Sequence, residues 1–272
     1  MSVADIEIQS GGATLAADCA GAGRQLICLH AGVADRRMFR EQLRGLSDDM
    51  RVLAYDRRGY GLTRAPDEPF RHVDDLAAVV DATGEDEVVL LGCSQGGRIA
   101  IDYALNRPDR VAGLILIGTA ISGAPDEPVP DDVKLLAEAL DAAEDAEDIP
   151  RINAIEAHIW LDGPTSEEGR VSGPLRDLFL DMNRIALEYP ELTQMRQPPS
   201  AYDRLSEIQV PTLLMHGGLD FDYIAKRHAH LARVLPRAEA VTFEGVAHLP
   251  PMEAPARVNE SVRDFCHAHK LR

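Results

Sequence analysis

Along most of this 272-residue chain, short apolar runs alternate with longer stretches of helical periodicity, and that rhythm restricts the fold more than any other feature. Runs at 6–9, 15–18, 25–30, 52–56, 88–92, 113–117, 212–216 and 240–243 predict strands. From residue 25 onward the runs are nearly continuous in hydrophobicity, as in strands covered on both faces. Helical patterns lie between them, at about 37–46, 73–83, 95–106, 222–235 and 254–268. Strand–helix alternation predicts right-handed βαβ units and a doubly wound, mostly parallel sheet.

One segment breaks the rhythm. Residues 123–200 contain no convincing strand, and their ends are rich in proline. The segment carries 18 Asp and Glu against 6 Lys and Arg, so it supplies most of the net charge of -17. It reads as a helical cap inserted between a first core portion (1–122) and a second (201–272), with hinges at 124–130 and 197–201. The acid-biased run 138–148 reads as a helix with a solvated face, and the acidic surface of the cap, which would repel anionic substrates, weighs weakly against dicarboxylates.

The charge also narrows the partners. With 45 acidic and 28 basic residues the chain repels phosphate backbones and anionic lipid, so neither nucleic acid nor membrane is an expected partner. No run of 18 apolar residues exists, and the opening MSVADIEIQS lacks the basic and apolar regions of a signal peptide. Cys19, Cys28, Cys93 and Cys266 are irregularly spaced, which fits reduced thiols in a cytoplasm better than a disulfide framework. A homo-oligomer is left open.

The chemistry begins at Val88-Val89-Leu90-Leu91-Gly92-Cys93-Ser94-Gln95-Gly96-Gly97. An apolar strand runs into Gly-x-Ser-x-Gly and a helix follows. A serine on so sharp a turn needs small residues two positions before and after it, because larger side chains collide where the backbone reverses. A serine hydroxyl is a weak nucleophile and needs a base, which in turn needs an orienting acid. Downstream, Asp220 follows the strand at 212–216 and His248 follows the strand at 240–243, which gives the chain order Ser94, Asp220, His248. Asp222 is the rival acid; it reads instead as an N-cap of the next helix. Cys93 reads as small-volume packing. His228-x-His230 and His267-x-His269 lie on predicted helices, where positions i and i+2 face apart, so no metal is expected.

With these motifs the chain resembles the α/β-hydrolase superfamily, in particular its capped serine esterases, enol-lactonases and carbon–carbon bond hydrolases. The resemblance implies an α/β-hydrolase fold: a mostly parallel eight-stranded sheet flanked by helices, with a helical cap. It also rests on Leu29-His30-Ala31-Gly32, where Ala31 replaces the usual glycine, and on Tyr55-Asp56-Arg57-Arg58-Gly59-Tyr60-Gly61-Leu62-Thr63, where Thr63 replaces serine. It implies an oxyanion hole built from the backbone N–H groups of Gly32 and Gln95, with Val33 an alternative to Gly32. His30 is expected to brace its loop, and the Asp56 motif to tie loops beneath the site. Val33, Trp160 and Leu249 are candidate substrate contacts.

The implied activity is hydrolysis of an ester or lactone of a small, fairly apolar molecule through an acyl-enzyme, without a cofactor. A carbon–carbon hydrolase of vinylogous diketones uses the same residues. A ligand-binding receptor on a hydrolase scaffold is the alternative from another class. Serine at position 94 argues against relatives that attack with a carboxylate.

Overall fold

A computed structural model describes residues 3–271. Eight strands form one sheet: β1 (Ala4–Ser10), β2 (Ala13–Ala20), β3 (Gln25–Leu29), β4 (Arg51–Tyr55), β5 (Val88–Cys93), β6 (Val111–Ile117), β7 (Thr212–Gly217) and β8 (Ala238–Phe243). Their order is β1-β2-β4-β3-β5-β6-β7-β8. β1 pairs with β2, and β2 with β4, in antiparallel register; every pairing from β4 to β8 is parallel. All eight predicted strands are present, with ends moved by a few residues.

Alternation along the central strands explains their continuous hydrophobicity. Leu26 and Cys28, Val89 and Leu91, and Ile115 and Ile117 pack into one apolar cluster, while Ile27 and Leu29, Val88 and Leu90, and Leu114 and Leu116 pack into another. The first face is covered by α1 (Arg40–Leu46) and α9 (Pro255–Ala268) through Leu43, Leu46, Val258, Val262 and Phe265. The second is covered by α2 (His72–Thr83), α3 (Gln95–Asn106) and α7 (Asp222–Val234) through Leu76, Val80, Ile99 and Leu231. Helices on both faces leave no central strand with a solvent side, so period-2 polarity is absent there.

Between β6 and β7 the chain leaves the sheet and builds α4 (Lys134–Asp145), α5 (Ile149–Ala157), a π-helical turn (His158–Asp162) and α6 (Pro174–Glu188). Ala143, Ile152, Ile155 and Ile159 make a small core of their own. Leu161, Phe179 and Met182 join the main cluster below, so the helical segment is packed onto the sheet domain. The short α8 (Pro250–Glu253) directly precedes α9.

Candidate active site

Ser94 stands between β5 and α3 in a backbone conformation that side chains rarely adopt, with φ 52° and ψ −114°. Its surroundings account for the glycines beside it. A Cβ on Gly92 would lie 2.5 Å from the Gly96 carbonyl oxygen, and one on Gly96 would lie 2.1 Å from that of Leu29. The elbow is pinned to the end of β6 and the loop after it: the Ser94 amide donates to the Ile117 carbonyl at 2.8 Å, and the Ser94 carbonyl accepts from the Ala120 amide at 3.2 Å. Residues held this far from ordinary backbone geometry cost about 1–3 kcal/mol and persist only where their surroundings over-determine them.

His248 and Asp220 meet beside that same loop. The Nδ1–H of His248 donates to Oδ2 of Asp220 at 2.6 Å, with both side chains almost fully buried. That bond fixes the tautomer and leaves Nε2 as the basic nitrogen. Asp220 is held from behind, because its Oδ1 accepts from the Phe221 amide at 2.8 Å. The two loops are laced together by Gly218 donating to Phe243 and Leu219 donating to Val246, at 3.0 and 2.9 Å. Gly118, at φ 51°, lies so close that a Cβ there would be 3.1 Å from the His248 ring. Asp222 is exposed in the first turn of α7, and the capping position itself is taken by Phe221, one residue earlier than the spacing suggested.

The Leu29–Gly32 loop is braced as its sequence implies. His30 is buried; its Nδ1–H donates to the Ala31 carbonyl at 2.8 Å, and its Nε2 accepts from the Arg57 amide at 3.0 Å. Burial, reinforced by the Arg57 charge, holds this imidazole well below its usual range, so it is neutral. The Arg57 guanidinium donates to the Ala31 carbonyl and to Oε1 of Gln95, at 3.1 and 3.2 Å, and packs 4.4 Å over the Tyr60 ring. Gly32 faces the Gln95 amide so closely that a Cβ would be 2.6 Å from Nε2. Arg57 therefore ties together the two segments that carry Gly32 and Gln95, a link the motif alone did not reveal. Asp56 accepts from the amides of Arg36 and Leu62 at 2.8 and 2.7 Å. Thr63 serves where serine is usual: its hydroxyl donates to the Asp56 carbonyl at 2.6 Å and accepts from the Ala16 amide at 3.0 Å.

The remaining candidates fall in three places. Trp160 lies on the π-helical turn with its ring centroid 4.7 Å from that of His248 and 5.5 Å from that of Phe221. Leu249 is fully buried in the main core, and Val33 is nearly so. Cys93 is buried, with Sγ 3.8 Å from the His248 carbonyl oxygen. The paired histidines do part as expected: His228 is buried and accepts from the Thr119 amide at 3.1 Å, whereas His230 is half-buried and stacks on Tyr202.

A cavity of about 460 Å³ opens beside this constellation, lined by Ala120, Leu140, Ile159, Trp160 and Phe221, with the exposed acids Asp126, Glu127 and Asp141 at its edge. Its walls are mostly apolar. A second cavity of about 430 Å³ lies on the Gln95 side and is lined by Tyr60, His72, Gln95, Arg98 and Tyr189. Val33 and Leu249 line neither. Among the described residues, no cluster of three or more His, Cys, Asp or Glu is arranged to hold a metal ion, and no helix is long and apolar enough to cross a membrane.

A mostly parallel sheet with a serine elbow after one strand, and an Asp–His pair on the loops after two others, defines an enzyme of the hydrolase class. The chain belongs to the alpha/beta hydrolase fold family, whose model matches residues 25–255. It is 29% identical over 266 residues to an AB hydrolase superfamily protein, YisY, of Bacillus subtilis, covering 93% of this chain and 95% of that one. It is 27% identical to the 2-hydroxymuconate semialdehyde hydrolase of Pseudomonas sp. strain CF600, covering 90% of this chain and 87% of the relative. Among solved structures, a thermophilic esterase from Thermogutta terrifontis, with malate bound, superposes with a TM-score of 0.74 at 26% identity, covering 98% of this chain and 99% of that one.

Proposed function

We propose that the protein is a serine hydrolase that cleaves an ester or lactone of a small, fairly apolar molecule. The reading rests on one observation above all: the buried His248–Asp220 pair lies against Gly118, within the segment 117–120 that holds both backbone groups of Ser94. In this mechanism His248 Nε2 takes the Ser94 proton as Oγ attacks the carbonyl carbon. Asp220 keeps the Nδ1 proton in place and stabilises the imidazolium. The oxyanion is received by the backbone N–H of Gln95 together with that of Gly32 or Val33, each donor contributing about 3 kcal/mol to transition-state stabilisation. His248 returns the proton to the leaving alcohol, and a water activated by the same nitrogen hydrolyses the acyl-enzyme. Residues 123–200 act as a cap over the site, and Trp160 with the apolar cavity receives the hydrocarbon part of the substrate. No cofactor is called for.

Carbon–carbon bond hydrolysis of a vinylogous diketone is the second reading, favoured by the likeness to the 2-hydroxymuconate semialdehyde hydrolase. Products separate the two, since that reaction releases an acid and an enol or ketone but no alcohol. The decisive experiment pairs a fluorophosphonate probe with short-chain p-nitrophenyl esters on the wild type and Ser94→Ala. Labelling and turnover that both vanish in the variant are expected. Wild-type rates from Ser94→Ala would end the proposal, and labelling of neither protein would promote a ligand-binding role on a hydrolase scaffold.

A further inference from the structure

The second cavity has an electrostatic peculiarity in so acidic a chain. Arg57 is 1% exposed, yet among the described residues its guanidinium meets no carboxylate: it faces the Ala31 carbonyl, the Gln95 side-chain amide, the neutral His30 ring and the Tyr60 ring, and its Nε is buried without a partner. Arg98 lines the cavity, its Nε is likewise buried and unpartnered, and its guanidinium makes no hydrogen bond or ion pair among the described residues. Asp102 acts on Arg98 only at longer range, its own Oδ2 accepting from the Ser122 hydroxyl at 2.8 Å. Arg58, the third guanidinium here, is neutralised by Asp75 and Glu68. The local field is correspondingly positive: burial and the charges of Arg57, Arg98 and Arg58 hold the cavity-lining His72 down at about 3. The carboxylate among the lining side chains is Glu191, which is exposed at the rim.

Two guanidiniums without a carboxylate partner, beside a cavity and in a chain of 45 acids, are costly unless an anion from outside completes them. Their place in the fold says where that anion belongs. The Arg98 amide donates to the Ser94 carbonyl at 3.1 Å, so Arg98 stands one helical turn beyond Ser94, on the side that carries Gln95. We propose that this cavity is a carboxylate subsite, with Arg98 as the anion's partner and Arg57 as the fixed charge behind it. Resting on the serine-hydrolase reading, this makes the substrate a monoanion, such as the half-ester of a short diacid. Its carboxylate sits on the Arg98 side of Ser94, and its apolar leaving group lies under Trp160. The guanidinium fork of Arg98 suits the planar, two-oxygen geometry of a carboxylate.

Two measurements test it. The first compares kcat/KM for the mono-p-nitrophenyl ester of glutaric acid and for the neutral p-nitrophenyl valerate. Wild type should prefer the acid ester, and Arg98→Gln should lower the ratio of the two constants at least tenfold, with Arg98→Lys recovering part of it. An unchanged ratio overturns the proposal. The second does not need turnover: calorimetric titration of monomethyl glutarate and methyl valerate into Ser94→Ala, with and without Arg98→Gln. Binding of the anion that is lost with Arg98→Gln supports the subsite even if Ser94 proves not to be the nucleophile. Equal binding of the two ligands, or anion binding indifferent to Arg98, overturns it.

Discussion

At the scale of single residues, the site depends on the backbone at two positions, Ser94 and Gly118. Ser94 holds φ 52°, so Ser94→Gly should be inactive yet more stable than wild type by about 1 kcal/mol, measured by denaturant unfolding. A loss of stability would mean that the elbow is not strained. Gly118 presents its Cα to the His248 ring, and a methyl group there would meet Cε1 and Nδ1 at 3.1 Å. Gly118→Ala should therefore displace the imidazole from Asp220 and lower kcat at least tenfold, since misplacement by about 1 Å can cost about a hundredfold. Ser94, Asp220 and His248 were legible because each follows a strand at a recognisable spacing. Gly118 was not, because its constraint comes from a ring 130 positions away along the chain. Arg57 was legible only as part of a motif; its bridge to Gln95 depends on how β4 and β5 flank β3, which spacing does not encode.

At the scale of elements, the histidine loop is clasped by the helical segment above it. Oε1 of Glu253 accepts from the Ala247 amide at 2.8 Å, and its Oε2 accepts from Arg170 at 2.6 Å. Arg170 also donates to the carbonyls of Leu161 and Asp162 at the end of the π-helical turn. Removing Glu253 leaves a buried N–H unsatisfied, at a cost of about 1–3 kcal/mol. Glu253→Ala should lower Tm by several degrees and kcat with it, while Glu253→Gln, which keeps the acceptor for Ala247, should lose much less of either. Equal losses in both variants would show that the Arg170 charge, and not the Ala247 bond, is what matters. Nothing in the sequence singled out Glu253 for this role, and Arg170 sits in a segment whose helices carry no motif. The strands were readable because burial on both faces writes itself as hydrophobic runs. The helical segment was readable only as an absence of strands, and its π-helical turn not at all.

For the whole molecule, buried neutral histidines set the response to acid. His30 and His228 are both almost fully buried, and His228 is pushed down to about 3 by burial and by the charges of His216 and Arg227. Their folded values lie below the unfolded one near 6.5, so the unfolded chain takes up protons first as pH falls. The stability they contribute is intact above about pH 6.5 and is lost on descending from there toward the folded values. Between pH 7 and pH 5 His228 should remove about 2 kcal/mol. His228→Gln, which retains an acceptor for the Thr119 amide, should lose that much less than wild type over the same interval in chemical denaturation. An identical loss would show that His228 is charged in the folded state. Net charge was readable from composition; which histidines are sealed away was not, since burial of His228 depends on α7 lying against the end of β6.

The contact between Trp160 and His248 has an optical consequence. Trp160 is the chain's one tryptophan, so all indole emission arises 4.7 Å from the imidazole of His248. A protonated imidazole quenches indole fluorescence by electron transfer more strongly than a neutral one, and lifting the π-helical turn away from the site would expose the indole to water and redden its spectrum. Intensity therefore follows the charge on His248, and wavelength follows the opening of the segment above it, in unlabelled protein and in real time.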